Sequence, residues 1–256
     1  MTDKKKITRR QVLVAGLASA SALVLPGCSN DGPPTYGNLL RMGDNFTWRA
    51  QRLLLPSHRL AREYDRREIS SIPAIGTTDP GDASNPYFQE ELGGVYARLR
   101  HADFADWRLV IEGSVARPGA YSVADLMRFP KKTQITRHTC EEGWTAIAEW
   151  NGALLKDVLE AAGILPTARY VNFSSYDGWD DSIDMWDAMH PQTFLAYGMN
   201  GRELPVPHGA PVRLRVATQM GYKSMKFLRR IVVTDEFVDP GLSGPIQNGW
   251  SWYAGI

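Results

Sequence analysis

Beyond Trp107 the chain breaks into short segments whose apolar period switches between that of a strand and that of a helix. "WRLVIEG" alternates as a half-buried strand does. "SVADLMRFP" opens on the capping residue Ser122 and closes on Pro130, so it reads as a short helix. "KTQITRHT" and "WTAIAEW" read as strands on either side of Cys140. In "NGALLKDVLEAAGILP", Leu154, Leu155, Val158, Leu159 and Ala162 share one helical face, which Gly163 and Pro166 end. "ARYVNF" and "DSIDM" are further strands. "DAMHPQTFLAYGMNGRELP" holds a short helix and then a hairpin turning at Asn200-Gly201, a type I′ signal. "APVRLRV" and "FLRRIVVTDEF" complete the set, with "MGYKSMK" as the loop between them. The spacing lacks the regular strand-helix alternation of a doubly wound sheet, so the pattern predicts an α+β fold with a mixed sheet.

The chain upstream is organised differently. Residues 51–256 are read as one domain that starts with an irregular arm, the polar stretch "PSHRLAREYDRREISSIPAIGTTDPGDASNPYF". Residues 29–50, rich in Gly, Pro and Asn, read as a linker. Residues 1–28 read as an export signal, with a basic head followed by a 14-residue apolar run from Val12 to Leu25. That run is short of the ~20 residues a spanning helix needs. Arg9-Arg10 ahead of it resembles the twin-arginine signal, and "LPGC" at Leu25 to Cys28 resembles a lipoprotein processing box. These features predict a periplasmic or envelope-exported protein, with Cys28 as a candidate lipid anchor. The segment carries five Lys/Arg and one Asp, so its removal takes the formal net charge from +1 to −3. No basic surplus remains for general nucleic-acid binding.

Of the two cysteines, Cys28 belongs to the signal, which leaves Cys140 without a partner. A lone cysteine is often a small buried hydrophobe. Here it sits in "ITRHTCEEGWTAIAEWNG", polar on both sides. Arg137 and His138 are expected to favour its thiolate, the form that attacks carbon or binds metal. A zinc site with His138, His190 or His208 and a cysteine nucleophile paired with a distant His both stay open. His190 reads better as a packing residue ahead of Pro191, and Glu141 as a solvated acid. A metal whose other ligands come from an organic cofactor needs only one protein thiolate. The twin-arginine route carries folded, cofactor-loaded proteins, and it favours that third reading.

The blocks "TRHTCEEGWTAIAEWNG", "ARYVNF", "SIDMWDAMHPQTFLAYGMNGRELPVPHGAPVRL", "GYKSMKFLRRI" and "WYAGI" resemble, in order, the sulfite oxidase-like molybdopterin-binding family, in particular its exported bacterial branch. The resemblance implies that family's fold and a molybdenum-molybdopterin cofactor. It implies that Cys140 is the metal thiolate and Glu142 an acid beside the metal. It implies cofactor contacts at Ser175, His208, Arg213, Ser224, Met225 and Lys226. Ser175 stands where the family has Thr, and His208 where its exported branch has Asn. The arm usually adds an Asn contact, but this chain has Ile75 there. A phosphate-bearing pterin suits such residues, because Arg offers a forked donor, Lys a point charge and loop N–H groups an anion cradle.

The resulting expectation is oxygen-atom transfer, with a non-catalytic pterin-binding redox module and the hydrolase readings as alternatives. No CxxCH or iron–sulfur pattern is present, so electrons are expected from a separate protein, a membrane haem protein or a soluble cytochrome. The haem domain and the dimerisation domain of the animal sulfite oxidases are missing from this sequence, which favours a monomer. Glu141-Glu142 beside the thiolate would repel a sulfite dianion and leave a neutral oxide untouched. Small or peptide-borne S-oxides and N-oxides, methionine sulfoxide among them, are therefore the expected substrates. Trp144, Trp150, Trp179, Trp250 and Tyr253 are candidates for an apolar mouth. Sulfite dehydrogenase chemistry is the alternative, and it would need Arg137 or Arg59 as an anion site.

Overall fold

The computed structural model describes residues 39–56, 59–86 and 88–256. The export and lipoprotein readings of residues 1–28 lie outside them. The first element corrects the linker expected over 29–50, because Leu39–Leu54 is a helix, α1. The residues that suggested a linker cluster ahead of it, at Gly32, Pro33, Pro34, Gly37 and Asn38. Tertiary anchoring holds α1. The Trp48 Nε1–H donates to Asp184 at 2.7 Å, and Arg52 donates to Asp184 and Asp187 at 2.9 and 2.5 Å. Packing of this kind, rather than propensity, supplies most helical stability in proteins.

The arm follows α1 and is irregular, as expected. It crosses the edge of the domain through the bonds Tyr64 N–H to Ile135 C=O and Ser70 N–H to Ile147 C=O, both 2.9 Å. It thereby covers a sheet edge that would otherwise invite another chain. The arm ends at α2, Glu90–His101, an element the sequence patterns did not bring out. Acids in its first turn and bases in its last complement the helix dipole. Its buried Tyr96 donates to the Ala210 carbonyl at 2.7 Å.

Strand β1 is Leu109–Gly113 and β2 Gly119–Tyr121; α3 is Val123–Leu126, capped by Ser122 as expected. Then come β3, Lys131–Thr139, and β4, Thr145–Leu154, which leads directly into α4, Leu155–Ala162. Strand β5 is Tyr170–Ser175, β6 Asp180–Asp184, and α5 Met185–Ala188. Strands β7, Thr193–Met199, and β8, Arg202–Glu203, form the expected hairpin. Its turn residues Asn200 and Gly201 have φ of 51° and 76°, the positive pair a type I′ turn requires. Strands β9, Arg213–Val216, and β10, Leu228–Thr234, complete the chain's regular structure.

Two five-stranded sheets result. One runs β2-β1-β10-β5-β6, parallel only between β1 and β10. The other runs β3-β4-β7-β8, with β9 also on β7. The main core brings together Leu109 and Ile111 of β1, Val171 and Phe173 of β5, Leu155, Val158 and Leu159 of α4, and Leu195 and Leu214 of the second sheet. The opposite face of that sheet packs Ala148, Trp150, Phe194 and Ala196 against Ile72 of the arm. Both faces of β7 are thus covered, and all seven of its residues are buried. This is the α+β, mixed-sheet architecture the patterns predicted.

Candidate active site

Cys140 lies at the tip of the β3-β4 hairpin. The register ends at Thr139 opposite Thr145. The five-residue connection closes through Cys140 N–H to Trp144 C=O at 2.9 Å and Gly143 N–H to Cys140 C=O at 3.1 Å. Gly143 takes φ 91°, a conformation costly for any side chain-bearing residue. The thiol is 3% exposed and opens into a cavity of about 1200 Å³.

The cavity gathers most of the residues singled out from the sequence. Glu142, His208, Arg213, Ser224, Met225 and Lys226 line it together with Cys140. Ser175 is the exception and does not line the cavity. Its hydroxyl bonds to the Asp177 carboxylate and donates to the Trp179 carbonyl at 2.7 Å. It sits behind the wall and positions Asp177, which lines the cavity instead. The arm also reaches the cavity. The Lys226 ammonium donates to the carbonyls of Ile75, at 3.0 Å, and Thr77. The backbone at Ile75 therefore makes a contact where the family pattern suggested an Asn side chain.

The electrostatics correct an expectation. Arg137 and His138 do not favour the thiolate. Burial, and then the neighbouring acids, push the Cys140 thiol up to about 11, against one opposing backbone hydrogen bond from Glu142. His138 is buried and is pushed down to about 2 by desolvation and then by Arg215 and Arg213, so it is a neutral imidazole. Arg137 does not line this cavity at all. Both acids line the cavity, and they differ in what they touch. The Glu141 carboxylate, expected in solvent, accepts from the Cys140 thiol at 3.5 Å. Glu142 is exposed and accepts from Trp144 Nε1–H at 3.0 Å. Without a metal the thiol stays protonated; a bound metal ion deprotonates a coordinating thiol outright.

Arg213 and Lys226 also line the cavity, and Arg215, which does not line it, shares the Trp150 ring with Arg213. Arg213 and Arg215 are buried, and neither has a carboxylate partner among the described residues. The Arg213 guanidinium donates to the carbonyls of His208 and Ser224 at 3.0 and 2.5 Å. Arg215, which drew no attention in the sequence, donates to Thr136 Oγ1 and Ser224 Oγ at 3.2 Å and to the Arg137 carbonyl at 2.7 Å. Both stack on the Trp150 ring, at 5.1 and 5.6 Å. Strand alternation in "RLRV" is the signal that would have paired them, since residues two apart share a face. Desolvation lowers Arg213 to about 9, Lys226 to about 8 and His208 to about 4. Buried cations without acids mark a place for an anion. The loops fit around it tightly. A Cβ at Gly221 would lie 2.5 Å from His138 Nε2, and one at Gly209 2.8 Å from the Lys226 Cβ.

The mouth is aromatic. Trp144, Trp179 and Trp250 line it, and Tyr222 joins them, its ring centroid 4.9 Å from that of Trp250. Trp150 and Tyr253 do not: Trp150 is buried beneath the two arginines, and Tyr253 faces a separate cavity. His190 is a packing residue, as expected, bonded to the Arg59 carbonyl at 3.1 Å and to the Gln192 N–H at 3.1 Å. Among the described residues no three His, Cys, Asp or Glu converge as a metal-binding group, so the zinc reading has no ligand set.

A buried thiol and buried cations without a carboxylate ion-pair partner among the described residues, lining one cavity of about 1200 Å³, suit an anionic pterin whose metal takes one protein ligand. Comparison with known proteins gives the same answer. Residues 96–240, more than half of the chain, match the family described as the oxidoreductase molybdopterin binding domain. The chain belongs to that family. Among curated proteins it is 31% identical to the putative protein-methionine-sulfoxide reductase subunit YedZ1 of Azospira oryzae, over 96% of this chain and 87% of that one. It is 30% identical to the protein-methionine-sulfoxide reductase catalytic subunit MsrP of Pseudomonas syringae pv. tomato, over 98% of this chain and 78% of that one. Among solved structures it is similar to the sulfane dehydrogenase SoxCD from Paracoccus pantotrophus, with 28% identity and a TM-score of 0.49, covering 51% of this chain and 39% of that chain. As a family member the protein is a molybdopterin-dependent oxidoreductase. The non-catalytic and hydrolase alternatives fall away.

Proposed function

We propose that this oxidoreductase carries molybdenum on its molybdopterin and reduces neutral S-oxides, with methionine sulfoxide, free or in a peptide, as the first substrate to test. N-oxides belong to the same class of small neutral acceptors. The reduction consumes two electrons and two protons and releases the sulfide and water. A separate redox protein, a membrane haem protein or a soluble cytochrome, supplies the electrons. Export through the twin-arginine route, with the cofactor loaded beforehand, completes the proposal. No helix among the described residues is long and apolar enough to cross a membrane.

One observation carries the substrate class. The wall around Cys140 is acidic and aromatic: Glu141, Glu142, Trp144, Trp179 and Trp250. Its cations, Arg213 and Lys226, are tied to the carbonyls on the pterin side. Arg59 and Arg137, which a sulfite site would need, line a different cavity. An acid about 4 Å from a bound anion disfavours it by about 4 kcal/mol at a surface-like dielectric. A neutral sulfoxide escapes that cost. The names of the two curated relatives point the same way.

Molybdenum, when bound, would supply the two-electron couple for oxygen-atom transfer. The chain's own residues do the rest. Cys140 offers the single thiolate. Arg213 and Lys226 would hold the phosphate end, and His208 would offer a hydrogen bond to the pterin. Glu141, beside the Cys140 thiol at 3.5 Å, would deliver a proton, and the tryptophans would keep water from the sulfur substituents. Steady-state turnover on molybdenum-replete protein, with an artificial electron donor, tests the reading. A kcat/KM for sulfite oxidation above that for every sulfoxide and N-oxide tried would overturn it.

A further inference from the structure

A second cavity, of about 650 Å³, lies on the other side of the Cys140 hairpin. Its wall includes Arg59 and Arg62 from the arm and Arg137 and Thr139 from β3. Arg59, Arg62 and Arg137 form no ion pair with any described residue. The acid in the wall, Asp187, is already committed to Arg52 at 2.5 Å, Gln219 at 2.7 Å and Thr218 at 3.2 Å. Three arginines without a carboxylate partner among the described residues thus line one cavity, Arg62 lying 4.7 Å from the Tyr64 ring. None of them takes part in the candidate active site.

We propose that this cleft is the docking site for an acidic segment of a protein partner, the one that exchanges electrons with the cofactor. The identity of the partner rests on the proposed function; the binding of an acidic segment does not. The volume exceeds what one inorganic oxyanion fills and falls in the range of sites that enclose an organic ligand or a few side chains. Guanidinium forks bind carboxylates bidentately, and three of them spread over two elements suit several carboxylates along a chain better than a single anion. Exposed, uncompensated charge of one sign steers a partner of the other sign, which is how weak and transient redox encounters reach useful rates.

The position matters as much as the charge. Thr139 and Thr145 face each other across the base of the hairpin, and both line the second cavity. Cys140, one peptide bond beyond Thr139, lines the first. A partner seated in the cleft is thus separated from the cofactor's thiolate ligand by the thickness of one hairpin, while the aromatic mouth stays free for substrate. The two electrons consumed at the site enter from this side, and no bond to the partner is made or broken.

An oligo-aspartate peptide is the probe, titrated by calorimetry into the molybdenum-loaded full chain at low salt. The peptide is expected to bind with one site per chain. Affinity is expected to fall at least about tenfold between ~20 and ~200 mM salt, because these charges are exposed to screening. The triple variant Arg59→Glu, Arg62→Glu, Arg137→Glu is expected to lose the binding while keeping its cofactor content, melting temperature and sulfoxide turnover with a viologen donor. No peptide binding at low salt, or binding that survives the triple reversal, overturns the proposal. Inorganic phosphate or citrate binding the cleft as tightly as the peptide overturns it too, in favour of a small-anion site. Failure of viologen-driven turnover in the unaltered protein would count against the proposed function alone and leave the peptide result standing.

Discussion

Replacing Lys223 by Met tests how the cofactor loop is held. Lys223 and Asp181 form an ion pair at 2.6 Å, with side chains only 1% and 2% exposed. The ammonium also donates to the Ser182 carbonyl at 2.8 Å and lies 5.5 Å from the Trp252 ring. Asp181 Oδ2 has no partner, so the lysine is the carboxylate's main compensation. Taking away one member of a buried pair typically costs about 3–5 kcal/mol, because the other charge is left stranded. For a chain of this size that lowers the melting temperature by about 2–4 °C per kcal/mol, so a drop of about 6–20 °C is expected. Burial raises the Asp181 pKa above its ordinary 3.8 despite the lysine, and removing the lysine raises it further. A carboxyl with a raised folded pKa stabilises fully below the unfolded value, and that contribution is lost as pH rises toward the folded one. The Met variant should therefore come closest to the parent near pH 4 and fall progressively behind above it. Calorimetric melts from pH 4 to 8 should be run at matched cofactor content, since bound cofactor adds stability by mass action. The double variant Lys223→Met, Asp181→Leu should recover most of the loss at neutral pH. A loss below about 1 kcal/mol, or a double variant no better than the single, would refute the stranded-charge reasoning.

Other outcomes follow from the same geometry. Cys140→Ser should fold and lose both turnover and bound molybdenum, because a hydroxyl is a far poorer ligand; retained turnover would remove the thiolate assignment. Arg213→Met should weaken pterin retention by about 10–100-fold, the scale of one charge-assisted hydrogen bond, read from fluorescence of the released pterin. Gly221→Ala should disturb His138 and the adjacent loop, since its Cβ would meet the imidazole at 2.5 Å, and cofactor content should drop while the sheets still melt cooperatively. Arg9→Lys with Arg10→Lys should leave loaded protein in the cytoplasm; unchanged envelope localisation would indicate an export route for unfolded chains.

Most strands were legible from local alternation or turn signals; β2, three residues long, was not, and the hairpin turn rather than alternation marked the fully buried β7. Asn200-Gly201 and the Ser122 cap are local signals, and they folded as local signals do. Helix α1 was not legible, because what holds it is remote. Its Trp48 and Arg52 meet Asp184 and Asp187, more than a hundred positions away. Helix α2 has a weak apolar stripe, and only two of its residues, Gly93 and Tyr96, are buried. A single tyrosine donating to the Ala210 carbonyl leaves no periodic trace in a sequence.

The site divides along the same line. The family resemblance assigned Arg213, Ser224 and Lys226 to one site, and all three line one cavity. What the resemblance could not give is the direction of a side chain. Glu141 and Glu142 are adjacent and chemically alike, and only the turn closed by Gly143 decides that Glu141 faces the thiol while Glu142 faces Trp144. Arg137 fails for a related reason. It is three residues from Cys140 on a strand, so alternation turns it to the face opposite His138, out of the cofactor cavity and into the second one. The same alternation makes that second cavity cationic and keeps the wall around the thiol acidic. On the proposed reading, separating the two charges across one hairpin would let a neutral oxide and an anionic partner approach the same cysteine from opposite sides.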